Sequence, residues 1–276
     1  MIKKVYISVD IEGIWGVANK ESTTYNGEEY DRARENMINE TNIVIENLVK
    51  NGVQEILVND GHGKMNNLIA NKMNPKAKMI VSNNLSKECG MMEGLTSEFD
   101  ACMFIGYHAG IGTKNATLNH TISSEYVNKI KLNGVEANET LLNAHLAWYY
   151  GVPVILVAGD NIYIEQVNHD FNNEIISVET KKSISRENVI NISYEELLKR
   201  YETNIKEAIE HPKILIDKKE KYEIEITFHR EEIAEFVARI PTVLRKDNCT
   251  VIIKDTNYLK LYKLCRFCII VARLIN

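Results

Sequence analysis

Short, almost continuously apolar segments alternate with helical patterns through most of this chain. The apolar segments cover residues 4–9, 55–58, 77–82, 101–106 and 152–159. Strands of this kind are buried on both faces, because a strand with one solvated face alternates between apolar and polar residues. The helices predicted between these strands would cover both faces of the sheet. The sequence therefore predicts an α/β fold with a largely parallel sheet flanked by helices.

Two helices and a hairpin carry additional local signals. Apolar residues recur every three or four positions over about 29–50, which predicts a long helix. Asn133-Gly134 lies between two short alternating segments and predicts a tight hairpin, because both residues tolerate positive φ. A further helix is expected over about 138–150, with Gly151 as its C-terminal cap.

The pattern changes after residue 175. The segment 183–189, SISRENV, is loop-like, and Ser193 is placed to cap a long amphipathic helix that ends near residue 211. The remaining predicted elements are strands at 222–228 and 250–255 and helices at about 230–239 and 256–273. We predict a catalytic α/β domain over 1–212. A smaller C-terminal α+β portion over 213–276 is either part of the same domain, part of a discontinuous one, or separate.

Composition argues against several kinds of partner. The chain has 276 residues and a formal net charge of −5, so no basic surface favours nucleic acid. The apolar segment near residue 270 is interrupted by Arg266 and Arg273 and is too short to cross a bilayer. The first residues lead into a strand without the pattern of a signal peptide. We expect a cytoplasmic protein with no nucleic-acid or membrane partner.

Cysteine usage agrees with a reducing compartment. There are five cysteines, an odd number, and Cys102 lies inside a predicted buried strand. Cys265 and Cys268 form a C-x-x-C pair within a helical pattern, with no second pair and no nearby histidine. We interpret this pair as part of the buried face of a C-terminal helix rather than as a zinc or redox site.

Acidic and imidazole side chains follow four of the predicted strands. They are Asp10 and Glu12, then Asp60 and His62, then His108, and finally Asp160. In open parallel sheets, ligands bind in the crevice outside the carboxyl ends of the strands. An extended chain also places Asp10 and Glu12 on the same side, where two carboxylates repel each other unless a cation lies between them. A divalent metal is the economical explanation.

Each of these residues also has a purely structural interpretation. Asp10 can bind turn amides, His62 can be an exposed loop residue, and Glu139 can complement a helix dipole. His120 lies in a loop without a metal-ligand partner at helical spacing. The other histidines lie in polar or helical contexts and are interpreted as structural: His145, His169, His211 and His229. The metal hypothesis rests on the set, because no single motif such as H-E-x-x-H occurs.

Several segments, taken in order, resemble one known family. YISVDIEGIWG, VNDGHGKMNNL, FIGYHAG, NHTIS and GVEANETLLNAHLAWYYGVPVILVAGD are similar to the M55 family of zinc D-aminopeptidases. The resemblance extends from the first strand to the final helix. It implies a hydrolase that removes the N-terminal residue from short peptides and holds two zinc ions per subunit. It also implies a homo-oligomer, a decamer built of two stacked pentameric rings.

The resemblance implies roles for individual residues. The positions that match the family's five metal ligands are Asp10, Glu12, His62, His108 and Glu139, with Asp10 as the bridge. His120 matches the family's catalytic histidine. Asn138 replaces the glycine that usually precedes Glu139, and Leu118-Asn119 before His120 also departs from the pattern. These departures lie where a substrate would bind and leave the stereospecificity open.

The chemistry of the residue types agrees with this inference. Histidine and carboxylate ligands without cysteine are typical of catalytic rather than structural zinc sites. A histidine beside the metals can transfer a proton to the leaving amine or stabilise the tetrahedral intermediate. Asp60 and Asp160 are predicted to orient ligand imidazoles. We therefore expect a metallo-aminopeptidase acting on short peptides that contain D-amino acids.

Three alternatives stay open at this point. The same metals can serve the hydrolysis of an L-peptide or of another small amide. A metal-free α/β protein whose loops bind an anionic small molecule is a second alternative. A scaffold whose ring assembly is itself the function is the third.

Overall fold

Two β-sheets and the helices around them make up the computed structural model, which describes residues 2–213 and 216–275. The strands are β1 (Lys4–Val9), β2 (Glu55–Asp60), β3 (Lys78–Ile80), β4 (Ala101–Ile105), β5 (Val127–Leu132), β6 (Val135–Glu136), β7 (Val154–Asp160), β8 (Ile176–Ser185), β9 (Asn188–Asn191), β10 (Tyr222–Phe228), β11 (Leu244–Arg245) and β12 (Thr250–Asp255). The α-helices are α1 (Lys20–Thr23), α2 (Tyr30–Lys50), α3 (Glu139–Tyr150), α4 (Asn161–Asp170), α5 (Tyr194–Glu210), α6 (Glu231–Val237) and α7 (Tyr258–Ala272).

The larger sheet has the strand order β3-β2-β1-β4-β7-β8-β9. Neighbouring strands are parallel except for the edge pair β8 and β9. This confirms the predicted α/β fold with a largely parallel sheet. The chain builds outward from β1 in both directions, because β2 and β3 lie on one side and β4 and β7 on the other. The crevice between β1 and β4 is therefore the topological switch point, the usual place for a ligand in such sheets.

Apolar cores cover both faces of this sheet. On one face, Ile7 of β1 packs in a cluster with Val44 of α2 and Ile205 of α5. On the other face, Phe104 of β4 belongs to a cluster that includes α3, α7 and the smaller sheet. Each fully buried side chain of this size contributes about 1.5–3 kcal/mol to the stability of the fold, relative to an exposed one. None of the helices in the described part of the chain combines the length and apolar character needed to cross a bilayer.

The local signals for helices and turns are confirmed. The helix predicted over about 29–50 is α2, and the Ser193 hydroxyl caps α5 by accepting a hydrogen bond from the Glu196 N–H at 3.2 Å. Asn133 and Gly134 join β5 to β6 with φ angles of 50° and 83°, as the hairpin requires.

The smaller sheet is antiparallel with the order β11-β12-β10-β5-β6. Its strands come from two separate parts of the chain, because β5 and β6 precede α3 whereas the other three follow α5. The domain boundary predicted near residue 212 stays a prediction, and residues 214 and 215 beside it lie outside the described residues, as do 1 and 276.

The loop predicted at 183–189 is wrong. Ser183 and Ser185 belong to β8, and β9 begins at Asn188 and pairs back onto it. β9 is an edge strand whose side chains are mostly exposed, so polar residues are compatible with its hydrogen bonding. Without a buried face, these residues show none of the apolar periodicity by which strands are recognised.

Glu40 of α2 is a buried acid between α5 and the segment that follows β1. The Tyr201 hydroxyl and the Trp15 backbone N–H donate to its carboxylate, at 2.5 Å and 2.8 Å. Burial raises the pKa of Glu40 to about 7 in spite of these two hydrogen bonds. The ionised form is therefore disfavoured in the folded protein.

We expect Glu40→Gln to gain stability relative to the wild type as the pH rises. The folded-state pKa of about 7 lies above the ordinary value of 4.5. Below pH 4.5 the carboxyl is protonated in both states, so its burial has no pH-linked cost in the free energy of unfolding. The cost grows as the pH rises through the folded pKa and reaches about 3 kcal/mol. Urea denaturation between about pH 5 and pH 9 measures it, with exposed Glu46→Gln as the control. A stability difference that does not change with pH would contradict the assignment.

Candidate metal centre

The loops after β1, β2 and β4 meet at the switch point of the larger sheet. Asp10 and Glu12 follow β1, His62 follows β2 and His108 follows β4. Glu139 is the first residue of α3, which packs on the same end of the sheet. His62 is partly buried, and the other four side chains are buried. The fold thus delivers five potential ligands to one place from four separate segments.

Two glycines allow the loops after β1 and β4 to touch. The Gly13 N–H donates to the Gly106 carbonyl at 2.8 Å. A Cβ atom on Gly13 would lie 2.0 Å from the Tyr107 oxygen, and one on Gly106 would lie 2.2 Å from the Asp10 oxygen. Only glycine permits this approach of two backbones. The contact brings Asp10 close to His108.

Asp10 lies between two histidines. Its Oδ1 is 3.2 Å from His62 Nδ1, and its Oδ2 is 3.4 Å from His108 Nε2. Glu12 Oε2 lies 3.2 Å from His62 Nδ1, and Glu139 Oε1 lies 3.7 Å from His108 Nε2. Asp10 therefore belongs to two donor groups, one with Glu12 and His62 and one with His108 and Glu139. Within each group the potential ligand atoms lie within 4.8 Å of one another.

His120 lies directly beside these groups. Its ring stacks on that of His108 with centroids 4.2 Å apart, and its Nε2 is 3.8 Å from Glu139 Oε1. The Ile122 N–H donates to the same Glu139 oxygen at 2.6 Å, which ties the His120 loop to α3. Glu12, His108 and His120 form a third possible donor group. The structure thus brings His120 together with the five positions that match the family's metal ligands.

Each of the three imidazoles donates one ring N–H to a backbone carbonyl. The pairs are His62 Nε2 with Thr23 O (2.8 Å), His108 Nδ1 with Ala109 O (3.0 Å) and His120 Nδ1 with Leu118 O (3.0 Å). A carbonyl only accepts, so each contact fixes which nitrogen carries the proton. In the neutral form of each ring, the other nitrogen carries the lone pair and faces the centre, which is the usual arrangement of metal-binding histidines.

Burial and the neighbouring charges shift the pKa values of this centre in opposite directions. Burial lowers the pKa of His62, but the carboxylates of Glu12 and Asp10 outweigh it and hold that pKa well above its ordinary value. The pKa of His108 is likewise lowered by burial and raised by Glu139 and Asp10, to about 10. Burial raises the pKa of Asp10, but the adjacent His108 and His62 imidazoles outweigh burial and hold that pKa well below its usual range. The centre therefore stabilises positive charge.

The donor set fits a divalent metal. Glu12 Oε2 and His108 Nε2 are buried without a hydrogen-bond partner in the described residues. Such atoms ordinarily find a partner, because leaving one unsatisfied costs about 1–3 kcal/mol. Carboxylate oxygens and imidazole nitrogens are also the ligands that catalytic zinc sites use.

Asp60 and Asp160 have other roles than the predicted one. Asp60 accepts from the backbone N–H groups of His62 and Leu68, at 3.2 Å and 2.9 Å, and so shapes the loop after β2. Asp160 caps α4 by accepting from the Ile162 N–H at 2.9 Å. The prediction that these acids orient ligand imidazoles is wrong. Backbone carbonyls do so instead, and no residue type in the sequence marks them.

Lys181 of β8 supports the segment that carries Glu12, and the sequence did not single this lysine out. Its side chain is fully buried, and its Nζ donates to the carbonyls of Glu12, Ile14 and Val17 at 2.5, 2.8 and 2.6 Å. These contacts hold the segment that carries Glu12. A lysine in a polar strand is ordinarily solvent-exposed, so only its position in the fold reveals the role.

The remaining histidines and the C-x-x-C pair belong to no donor group in the part of the chain that the structure describes. His145 packs against Trp148 in the core, where burial lowers its pKa to about 4. Cys265 and Cys268 are both buried on α7, which confirms the interpretation of this pair as part of a helix core face.

A cavity of about 490 Å³ opens onto the centre. Five of the six candidate residues line it: Asp10, Glu12, His62, His120 and Glu139. Its wall also includes Asn143 of α3 and Tyr262 and Arg266 of α7. The volume lies within the range of roughly 300–1,000 Å³ that small-molecule sites occupy.

Comparison with known proteins places this chain in a family. The family model for peptidase M55, described as D-aminopeptidase, matches residues 3–267. A D-aminopeptidase of Bacillus subtilis (strain 168) is 36% identical over 183 residues, which cover 66% of this chain and 65%, just under two thirds, of that protein. A solved structure, the Zn-dependent D-aminopeptidase DppA from Bacillus subtilis, described as a self-compartmentalizing protease, has a TM-score of 0.92 at 30% identity over 98% of each chain. Because the family match spans nearly the whole sequence, the chain belongs to the M55 family of D-aminopeptidases.

Proposed function

We propose that this protein is a zinc-dependent aminopeptidase that removes an N-terminal D-amino acid from short peptides. The observation that carries the proposal is the convergence of acids and imidazoles around Asp10 at the wall of a cavity, in a chain of the M55 family. The descriptions of the two relatives as D-aminopeptidases, one of them zinc-dependent, support the metal and the stereochemistry.

We assign two zinc sites that share Asp10. One takes Glu12 and His62 as its other ligands, and the second takes His108 and Glu139. Support comes from the two donor groups, which have Asp10 as their common member. When bound, zinc ions at such a site polarise the scissile carbonyl and lower the pKa of a coordinated water to about 7.

His120 is the proposed proton-transfer residue. Its Nδ1–H is held by the Leu118 carbonyl, so Nε2 carries the lone pair and is free to accept a proton. The residue lines the cavity, and stacking on His108 restricts the orientation of its ring. A base in this position takes up a proton during attack on the amide and delivers it to the leaving amine.

We further propose a homo-oligomer, a decamer of two stacked five-membered rings. Its support is the description of the related structure as a self-compartmentalizing protease. The cytoplasmic location stays a prediction from the sequence.

Hydrolysis with zinc present and absent tests the proposed function. We expect the zinc-loaded protein to cleave D-Ala p-nitroanilide and D-Ala-D-Ala faster than their L counterparts. Chelator treatment should abolish the activity, and added zinc should restore it. Faster cleavage of the L substrates would contradict the proposed D specificity but not the proposed zinc-dependent hydrolysis. A fully metallated sample that cleaves no peptide would favour a small-molecule-binding protein instead.

His120→Ala should depress turnover without removing the metal. We expect kcat/KM to fall about 10²–10⁴-fold, the usual contribution of a positioned acid–base group. Zinc content per chain should stay at the wild-type value. His169→Ala is the matched control, because that side chain is 90% exposed and outside the cavity wall. Loss of zinc in the His120 variant would make His120 a ligand instead.

A further inference from the structure

Arg266 presents a buried cation at the cavity wall. The residue is 6% exposed and lies on α7. Its Nη2 donates to Asn84 O at 3.2 Å, to Asn84 Oδ1 at 3.0 Å and to Lys87 O at 3.0 Å. Every acceptor of this guanidinium in the described residues is therefore a neutral oxygen. A buried charge without a counter-charge is costly, so one this deep is usually paired.

Much of the guanidinium's donor capacity is unused. The side chain carries five N–H donors, and within the described residues only Nη2 donates. Nε is buried without a partner. Gly90 leaves room for the group, because a Cβ atom there would lie 2.0 Å from Nη1. Gly90 also has a positive φ of 49°, which favours glycine at this position.

A second buried cation lies near Arg266. Lys87, only 1% exposed, is a second cation held against the same segment, where its Nζ donates to Asn59 Oδ1 at 2.8 Å. Tyr262, one helical turn before Arg266, also lines the cavity, so this face of α7 is turned toward it. The other cations of the wall, Lys20, Arg186 and Arg273, are exposed and bind anions more weakly in water.

We infer that Arg266 binds the C-terminal carboxylate of the peptide substrate and so selects peptides with a free C-terminus. The inference rests on the proposed function, and it concerns the far end of the substrate rather than the reacting bond. One cavity wall contains both the metal centre and Arg266. A short peptide that reaches from the centre to this guanidinium places its only fixed negative charge against a buried cation that has no acidic partner among the described residues.

Two substrates that differ only in this charge test the inference. D-Ala-D-Ala carries the carboxylate, and D-Ala-D-alaninamide lacks it. We expect the wild type to prefer the acid by about 10–100-fold in kcat/KM, the usual worth of a hydrogen bond to a charged group. In Arg266→Gln the ratio of kcat/KM for the acid to that for the amide should approach one. Arg266→Lys should retain part of the preference for the acid. Lys263→Gln, on the same helix but outside the cavity wall, should keep the wild-type ratio.

A merely structural role for Arg266 predicts something else. Both substrates would then lose the same factor and the ratio would persist, which would overturn the inference. Equal kcat/KM for acid and amide in the wild type would overturn it even if no variant folds.

Binding without turnover separates this inference from the proposed function. Calorimetric titration of the metal-free protein with D-Ala-D-Ala and with its amide should show tighter binding of the acid in the wild type. The difference should vanish in Arg266→Gln. If the protein hydrolyses no peptide, the proposed function fails, but this binding difference still reports on Arg266. Equal affinities in the wild type would refute the carboxylate site.

Discussion

Asp10→Asn should remove most of the activity and most of the metal together. The side chain contacts both His62 and His108, at 3.2 Å and 3.4 Å, and is the member shared by two donor groups. An amide has one acceptor oxygen and no charge, so it cannot bridge two cations as a carboxylate does. Because the transition state then loses several kcal/mol of electrostatic stabilisation, we expect kcat/KM to fall by about 10³-fold or more.

Metal analysis and kinetics on the same sample check this expectation. We expect fewer than two zinc ions per chain in the variant, against two in the wild type. Asp31→Asn is the matched control, because the Asp31 side chain is 95% exposed on α2 and lies away from the cavity. An Asp10→Asn protein with full zinc content and near-normal turnover would refute the assignment of a shared ligand.

Lys181→Met should have the largest effect on stability. The ammonium group donates to three buried carbonyls within the segment from Glu12 to Val17, and methionine fills similar space without any donor. Ile14 O also accepts from the Val17 N–H at 3.2 Å, so the carbonyls of Glu12 and Val17 would lose the donor. Unsatisfied buried acceptors cost about 1–3 kcal/mol each, so we expect a loss of about 3–5 kcal/mol in the free energy of unfolding. Because the same segment carries Glu12, zinc affinity should fall as well.

Urea denaturation and zinc titration measure the two effects. The neighbouring Lys182 offers the control, since it lies on the same strand and is exposed. Lys182→Met should change the unfolding free energy by less than about 0.5 kcal/mol. If the two variants unfold at the same urea concentration, Lys181 does not hold the segment in the manner described.

The strands and helices could largely be predicted because their signals are local. Strands β1, β2, β4 and β7 are recognisable as apolar segments, and Ser193, Asn133 and Gly134 mark a cap and a turn by residue type. Edge strand β9 could not be predicted, because an exposed strand is not distinguished from a polar loop by periodicity.

Four of the six candidate site residues, Asp10, Glu12, His62 and His108, could be singled out because side chains at the carboxyl ends of parallel strands meet at one edge of the sheet. Glu139 and His120 were singled out only by the family resemblance. Their roles as ligands and as proton-transfer residue are proposals, and the variants above test them. The groups that support the site had no such signal. Lys181 reaches Glu12 across 169 positions, and Arg266 reaches Asn84 across 182.

The sequence by itself determined the class of fold, the order of most elements and which acids and imidazoles follow the strands of the parallel sheet. Residue type and short-range periodicity are sufficient for those features. The tertiary structure alone decided which carbonyls orient the imidazoles and which buried lysine holds the loop after β1. It also decided which arginine at the cavity wall has only neutral acceptors in the described part of the chain. These are contacts between distant segments, and their partners are backbone atoms or neutral oxygens that every residue type can supply.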